Sequence, residues 1–178
     1  MQGSKKTWES YARIRGQFLE QRAVELLTST SPKWKAWTSL KYRVDDGGGV
    51  REDELDGLLA LDSVVILLEA KSGGVSAAGR RGAASLHEDL DKVIGEAHEQ
   101  VSRAKRYLTS GDRAIFTTED GEEVELNTDA LTRIIPMTVT LDDIAAFATK
   151  LTDLSDVGVL STGLTAWTVC LHDLYAQK

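Results

Sequence analysis

Apolar residues recur along this chain in two rhythms, one helical and one strand-like. From Trp8 to about Thr28, the residues Ala12, Gly16, Leu19, Ala23, Val24, Leu26 and Leu27 share one broad arc of a helical wheel, which predicts an amphipathic helix. Trp37 to Val44 reads as a strand. Asp45 to Val50, with Gly47, Gly48 and Gly49, reads as a flexible loop, because no phosphate-loop pattern follows the glycines. Two short apolar runs come next, Gly57 to Leu61 and Val64 to Leu68. Their length, and the β-branched residues of the second, predict buried strands paired through a tight turn at Asp62-Ser63. Ser72 to Ser85 is rich in Gly and Ala and holds Arg80 and Arg81. It predicts a long mobile loop, either a substrate-binding flap with two phosphate contacts or merely a disordered loop.

A second long helix follows from about Leu86 to Leu108, with Leu86, Leu90, Val93, Ile94, Ala97, Val101, Ala104 and Leu108 at helical spacing. Arg113 to Leu126 predicts a hairpin turning at Asp120-Gly121, its acidic arm facing solvent. Arg133 to Thr140 is a further strand. Thr140 then suits the N-cap of a helix from Leu141 to Leu154 that buries Ile144, Phe147, Ala148 and Leu151. Ala166 to Leu171 is a last strand. There is no internal repeat and no linker, so residues 1–178 read as a single α/β domain, a mixed sheet flanked by helices.

The pattern leaves three charges in need of a reason. Glu69 and Lys71 close the second apolar run and, by strand alternation, share one face, with Ala70 on the other. If the two runs pair, Asp56 returns to the same end of the sheet. Burying an unpaired carboxylate or ammonium is costly. Two carboxylates make a hard oxygen site suited to Mg²⁺ or Mn²⁺. Such an ion polarises a phosphoryl oxygen and acidifies a bound water. A lysine two residues after a ligand can orient that water or stabilise transition-state charge. The set fits phosphodiester hydrolysis. The plain alternative is a solvated Glu/Lys pair of little energetic worth.

Asp56, twelve intervening residues and then Glu69-Ala70-Lys71 resembles the signature of the PD-(D/E)XK nuclease superfamily. The Glu54-Leu55-Asp56 context is similar to its nuclease-related and Mrr-like branches, with Leu55 standing where the nominal proline would be. The resemblance covers roughly residues 10–110 and implies a restriction-endonuclease-like fold. It implies that Asp56 and Glu69 bind the metal with the Ala70 carbonyl, and that Lys71 assists the attacking water.

Both flanking helices carry a polar residue that matches this family. Glu20 falls inside the apolar arc of the first helix, where an acid without a partner is unusual. The resemblance implies that it helps hold the metal; the alternative is an edge position paired with an arginine. Gln100 borders the second stripe, as does Tyr107, and Gln100 matches the polar residue that the family carries near its site. Arg103, Lys105 and Arg106 crowd the end of that helix, where they either complement its dipole or touch a phosphate backbone.

Composition bounds these readings. A single cysteine, Cys170, excludes an intrachain disulfide and fits a reducing cytoplasm. Cys170 and His172 alone make too weak a spacing for zinc. No Gly-x-Ser-x-Gly elbow occurs, and no apolar segment reaches membrane-spanning length or follows Lys5 and Lys6 as a signal peptide would. The net charge of −7 is awkward for a nucleic-acid enzyme, yet residues 1–43 carry a net +6 while residues 119–178 carry −8. Trp34 and Trp37 stand among Lys33, Lys35, Lys41 and Arg43, placed either for stacking or for the core. The expectation is a cytoplasmic, Mg²⁺- or Mn²⁺-dependent deoxyribonuclease with Asp56, Glu69, Lys71, Glu20 and Gln100 in its site. A homodimer or a partner subunit would supply further DNA affinity. The alternatives are a catalytically silent module of the same fold and a nuclease directed at RNA.

Overall fold

A computed structural model describes residues 2–45, 47, 49–144, 151–160 and 166–176. Its centre is β3 (Val64–Lys71), buried along nearly its whole length. The apolar, β-branched start of this segment suits a strand covered on both faces. Around it lies a seven-stranded mixed sheet. β2 (Val50–Leu61) pairs antiparallel with β3, Gly57 opposite Leu68 and Leu61 opposite Val64. β1 (Lys35–Asp45) lies antiparallel on the outer side of β2. The hairpin of β4 (Arg113–Thr117) and β5 (Glu123–Asn127) extends that side. On the other side β6 (Arg133–Thr140) runs parallel to β3 and β7 (Trp167–Cys170) parallel to β6.

Alternation along β3 divides the core. Val65 and Leu67 join Leu40, Leu58 and Phe116 under α3 (Glu96–Leu108), which contributes Val101, Ala104 and Leu108. Ile66, Leu68 and Ala70 face the opposite way, under Leu19, Ala23 and Leu26 of α1 (Gln2–Thr28) and Leu171 of α5 (Leu171–Ala176). Each fully buried leucine contributes roughly 1.5–3 kcal/mol. Trp34 and Trp37 pack against these two clusters, on opposite faces. Tyr107 lies tilted against Tyr42 and edge-on to Phe116, and its hydroxyl donates to the Ile115 carbonyl.

Several boundaries differ from those expected. α1 starts at Gln2, and Ala12 of the expected arc is exposed; packing begins at Leu19. β2 starts at Val50, because the charged stretch Arg51–Glu54 pairs along β1 although it lacks an apolar alternation. The loop after Lys71 is short. A 3₁₀ turn (Gly79–Arg81) and α2 (Ala83–Leu90) occupy much of the segment expected to be mobile, and Asp89 accepts from the Ser76 amide and hydroxyl at 2.8 and 2.7 Å. Thr140 does not cap a helix. Its hydroxyl donates to the Asp142 carbonyl, and residues 141–144 are not helical. The expected buried residues Phe147 and Ala148 lie outside the described residues, while α4 (Leu151–Asp156) follows them. Leu171 begins α5 rather than ending the last strand.

The expected second helix is interrupted by a π-helical turn, Asp91–Gly95, between α2 and α3. Gly95 is required there. A Cβ at this position would stand 2.7 Å from the Val159 carbonyl oxygen and 2.5 Å from Asp91 Oδ1. Gly95→Ala is therefore expected to destabilise the protein by about 1–3 kcal/mol, since the opposing backbone cannot swing aside; a denaturant titration measures it.

Candidate active site

The register that buries β3 also delivers the charges. Gly57 opposite Leu68 leaves Asp56 and Glu69 as the next residues at one end of the β2–β3 pair. Here β2 loses its alternation. Leu58 and Leu55 both face the α3 side, although three residues apart. On β1, Trp37 and Leu40 do the same, and between them Ser39 adopts φ 52°. The Ser39–Asp56 step is missing from an otherwise continuous ladder. Asp56 thus sits at a local break, and its carboxylate turns along the sheet to accept from the Ala70 amide at 2.7 Å. The Lys71 carbonyl accepts from Leu141 on the β6 side. Alternation then leaves both the amide and the carbonyl of Ala70 on the Asp56 side.

Glu69 and Lys71 share the α3 face, as strand spacing requires. Lys71 Nζ donates to Glu69 Oε1 at 3.1 Å and to Gln100 Oε1. Glu69 is only 2% exposed, and its Oε2 has no hydrogen-bond partner. Burial and the neighbouring Asp56 carboxylate push the Glu69 carboxyl up to about 8, against the opposing pull of Lys71. Burial likewise raises Asp56, opposed by the Ala70 amide and Lys71.

Glu20 approaches from the α1 side. Burial, then the charges of Asp56 and Glu54, raise its carboxyl to about 7. The arginines that could have neutralised it are engaged elsewhere: Arg22 with Glu25 and Tyr175, Arg15 with Asp142. Among the described residues Glu20 makes no ion pair with an arginine. Three acids therefore crowd one end of the sheet with one lysine between them, an arrangement of hard oxygen donors short of positive charge.

The residues expected from sequence thus meet at one place. Glu54, an exposed acid two residues before Asp56, belongs to the same electrostatic neighbourhood, although the sequence reading used it only as context for Asp56 and gave it no role; the acidic i, i+2 spacing was its signal. Arg103 is tied to Asp53 and Glu99 at 3.1 and 3.3 Å and borders, with Lys71 and Gln100, a cleft of about 440 Å³. Arg80 and Arg81 are exposed on the loop side. Cys170 is buried on β7 while His172 is exposed on α5. Among the described residues, no group of three or more His, Cys, Asp or Glu is placed so that it could hold a metal ion, and no helix is long and apolar enough to cross a membrane.

The chain is a mixed α/β protein with an acid-rich, lysine-bearing site at one end of its sheet. No protein-family model matches it, and no curated protein matches it significantly.

Proposed function

We propose that this chain is a metal-dependent phosphodiesterase of the PD-(D/E)XK type, built on a restriction-endonuclease-like core and acting on DNA. The observation that carries the reading is Glu69, a nearly inaccessible carboxylate with an unpartnered oxygen beside a second acid. A buried anion costs several kcal/mol unless a cation compensates it, and Lys71 meets only the other oxygen. Asp56, Glu69 and the Ala70 carbonyl would hold Mg²⁺ or Mn²⁺, with help from Glu20. Such an ion, when bound, supplies Lewis acidity to a phosphoryl oxygen and acidifies a water.

The protein's own groups have separable tasks. The Ala70 amide orients Asp56. Glu69 and Gln100 engage two of the three N–H donors of Lys71, leaving one for the attacking water or a phosphate oxygen. Gln100 thus acts through Lys71. Gln100→Ala is expected to slow cleavage about ten- to a hundredfold by loosening that amine, with DNA affinity little changed; single-turnover kinetics beside a binding titration separates the two. The basic N-terminal third steers a polyanion toward an otherwise acidic protein. The single buried cysteine suits a reducing, cytoplasmic setting.

The test is direct. Purified protein should nick or cut DNA with Mg²⁺ or Mn²⁺ and stop with chelator, and RNA run beside it settles the substrate. Calorimetry should register Mn²⁺ binding that Asp56→Asn weakens. DNA binding without any Mn²⁺ binding or cleavage would instead favour a silent module.

A further inference from the structure

The sheet surface beneath α3 is largely apolar, but one row across it is not. Register sets Glu69 of β3 opposite Thr138 of β6, and Thr138 opposite Thr168 of β7. All three side chains lie on the α3 face. Glu69 follows Val65 and Leu67 by alternation. Thr138 stands between Met137 and Val139, which both turn to the α1 side. Thr168 is met by His98 of α3, whose Nε2 lies 2.8 Å from the Thr168 hydroxyl oxygen. Neighbouring strands lie about 4.8 Å apart, so side chains at paired positions on one face are within reach of each other. Thr138 is fully buried, and His98 is 2% exposed. Among the described residues, neither the Thr138 hydroxyl nor Glu69 Oε2 on the neighbouring strand has a hydrogen-bond partner. A buried hydroxyl left unpaired is destabilising, and valine would fill the same space without that penalty.

We propose that His98, Thr168 and Thr138 are positioning residues for the candidate site, a chain of donors that ends on Glu69. His98 donates from Nε2 to Thr168, Thr168 donates to Thr138, and Thr138 donates to Glu69 Oε2. The inference rests on the metal-dependent reading of that site. An ionised carboxylate only accepts, whereas a hydroxyl both accepts and donates, so such a row can run in one direction. The imidazole sets that direction. With a proton on Nε2 the Thr168 oxygen accepts from His98, and its own hydrogen is free to turn along the row. Each bond then polarises the next. Catalytic hydrogen bonds are commonly long in a free protein and tighten on loading, which is where the Thr138 hydroxyl closes on Glu69. Each carboxylate oxygen has two lone pairs, so Oε2 takes this bond and still faces an ion. Lys71 holds Oε1. Thr138 holds Oε2, and the carboxylate is fixed at both oxygens.

Two measurements test the chain, the first with neither metal nor catalysis. Heteronuclear NMR of the chelated protein, with the His98 signals identified by their loss in His98→Gln, should show a proton on Nε2. A ring protonated only at Nδ1 overturns the proposal, because Nε2 would then accept from Thr168 and draw its hydrogen away from Thr138. Calorimetry with Mn²⁺ is the second. Thr138→Val should raise the dissociation constant about ten- to a hundredfold, the range for losing a group that orients a metal ligand. Thr138→Ser keeps the hydroxyl and should bind as wild type does. Thr168→Val, at a less buried position, should weaken binding in the same direction. Urea unfolding of the chelated variants is the control, since valine retains the shape of threonine. Mn²⁺ affinity unchanged in Thr138→Val overturns this inference alone, as does serine failing to restore it. A wild type that binds no Mn²⁺ sinks the phosphodiesterase reading, and this inference with it. Should Thr138→Val not fold, Thr168→Val and the ring proton decide.

Discussion

Lys71→Ala is expected to lower metal-dependent DNA cleavage by about two to four orders of magnitude, the range for losing a positioned proton-transfer or water-orienting group. Two effects combine. The variant loses the amine held between Glu69 and Gln100. It also removes the positive charge of Lys71 that lowers the Glu69 carboxyl, so that group moves further above its ordinary range. Metal affinity should fall as well, because a ligand must be deprotonated to bind. The fold should survive, since Lys71 is only part-buried at the end of β3. Single-turnover cleavage at saturating Mn²⁺, with a thermal melt as control, decides the matter. Equal rates for wild type and variant would remove Lys71 from the machinery.

Glu69→Gln is expected to abolish cleavage and yet to stabilise the chelated protein at alkaline pH. The Glu69 carboxyl stands at about 8 in the folded chain, against an ordinary 4.5. A raised carboxyl makes its full contribution to stability below pH 4.5 and loses it progressively up to pH 8, where the folded protein must carry the charge. Glu20, raised to about 7, acts in the same direction over a narrower window. Chelated wild type should therefore lose stability on the order of a few kcal/mol between pH 5 and pH 8, and Glu69→Gln should flatten that slope. Mn²⁺ should stabilise wild type more at pH 8 than at pH 5, because binding then offsets a charge already exposed by titration. The readout is urea unfolding at a series of pH values, with and without the ion. Identical slopes for the two proteins would show that Glu69 is not the strained group.

The local rhythms of the chain were enough to establish the elements that bury apolar surface. β3, the turn at Asp62-Ser63, the Asp120-Gly121 hairpin and the stripe of α3 each depend on near neighbours, so spacing of two or of three and four residues reports them. Glu69 and Lys71 on one face, and Asp56 at the same sheet end, follow from that spacing and the turn. Elements held by distant partners were hidden. Arg51 to Glu54 is too charged to read as strand until β1 pairs with it. The segment after Lys71 is ordered by Asp89, more than a dozen residues away from Ser76. The π-helical turn depends on the close passage of Gly95 beside Val159, which no local pattern encodes.

The candidate site divides along the same line. Residue types and spacing singled out Asp56, Glu69, Lys71 and Glu20, and the resemblance to the nuclease family added Gln100. Whether these form a site was a tertiary matter. The break at Ser39 and Asp56 turns one carboxylate onto the Ala70 amide. The packing of α3 carries Gln100 to Lys71, and the packing of α1 sets Glu20 within the field of Asp56. A sequence can show which side chains are charged and which face they share. The separation of those charges, and the loss of water that makes it matter, depend on elements far apart in the chain, because electrostatic strength is set by distance and burial together.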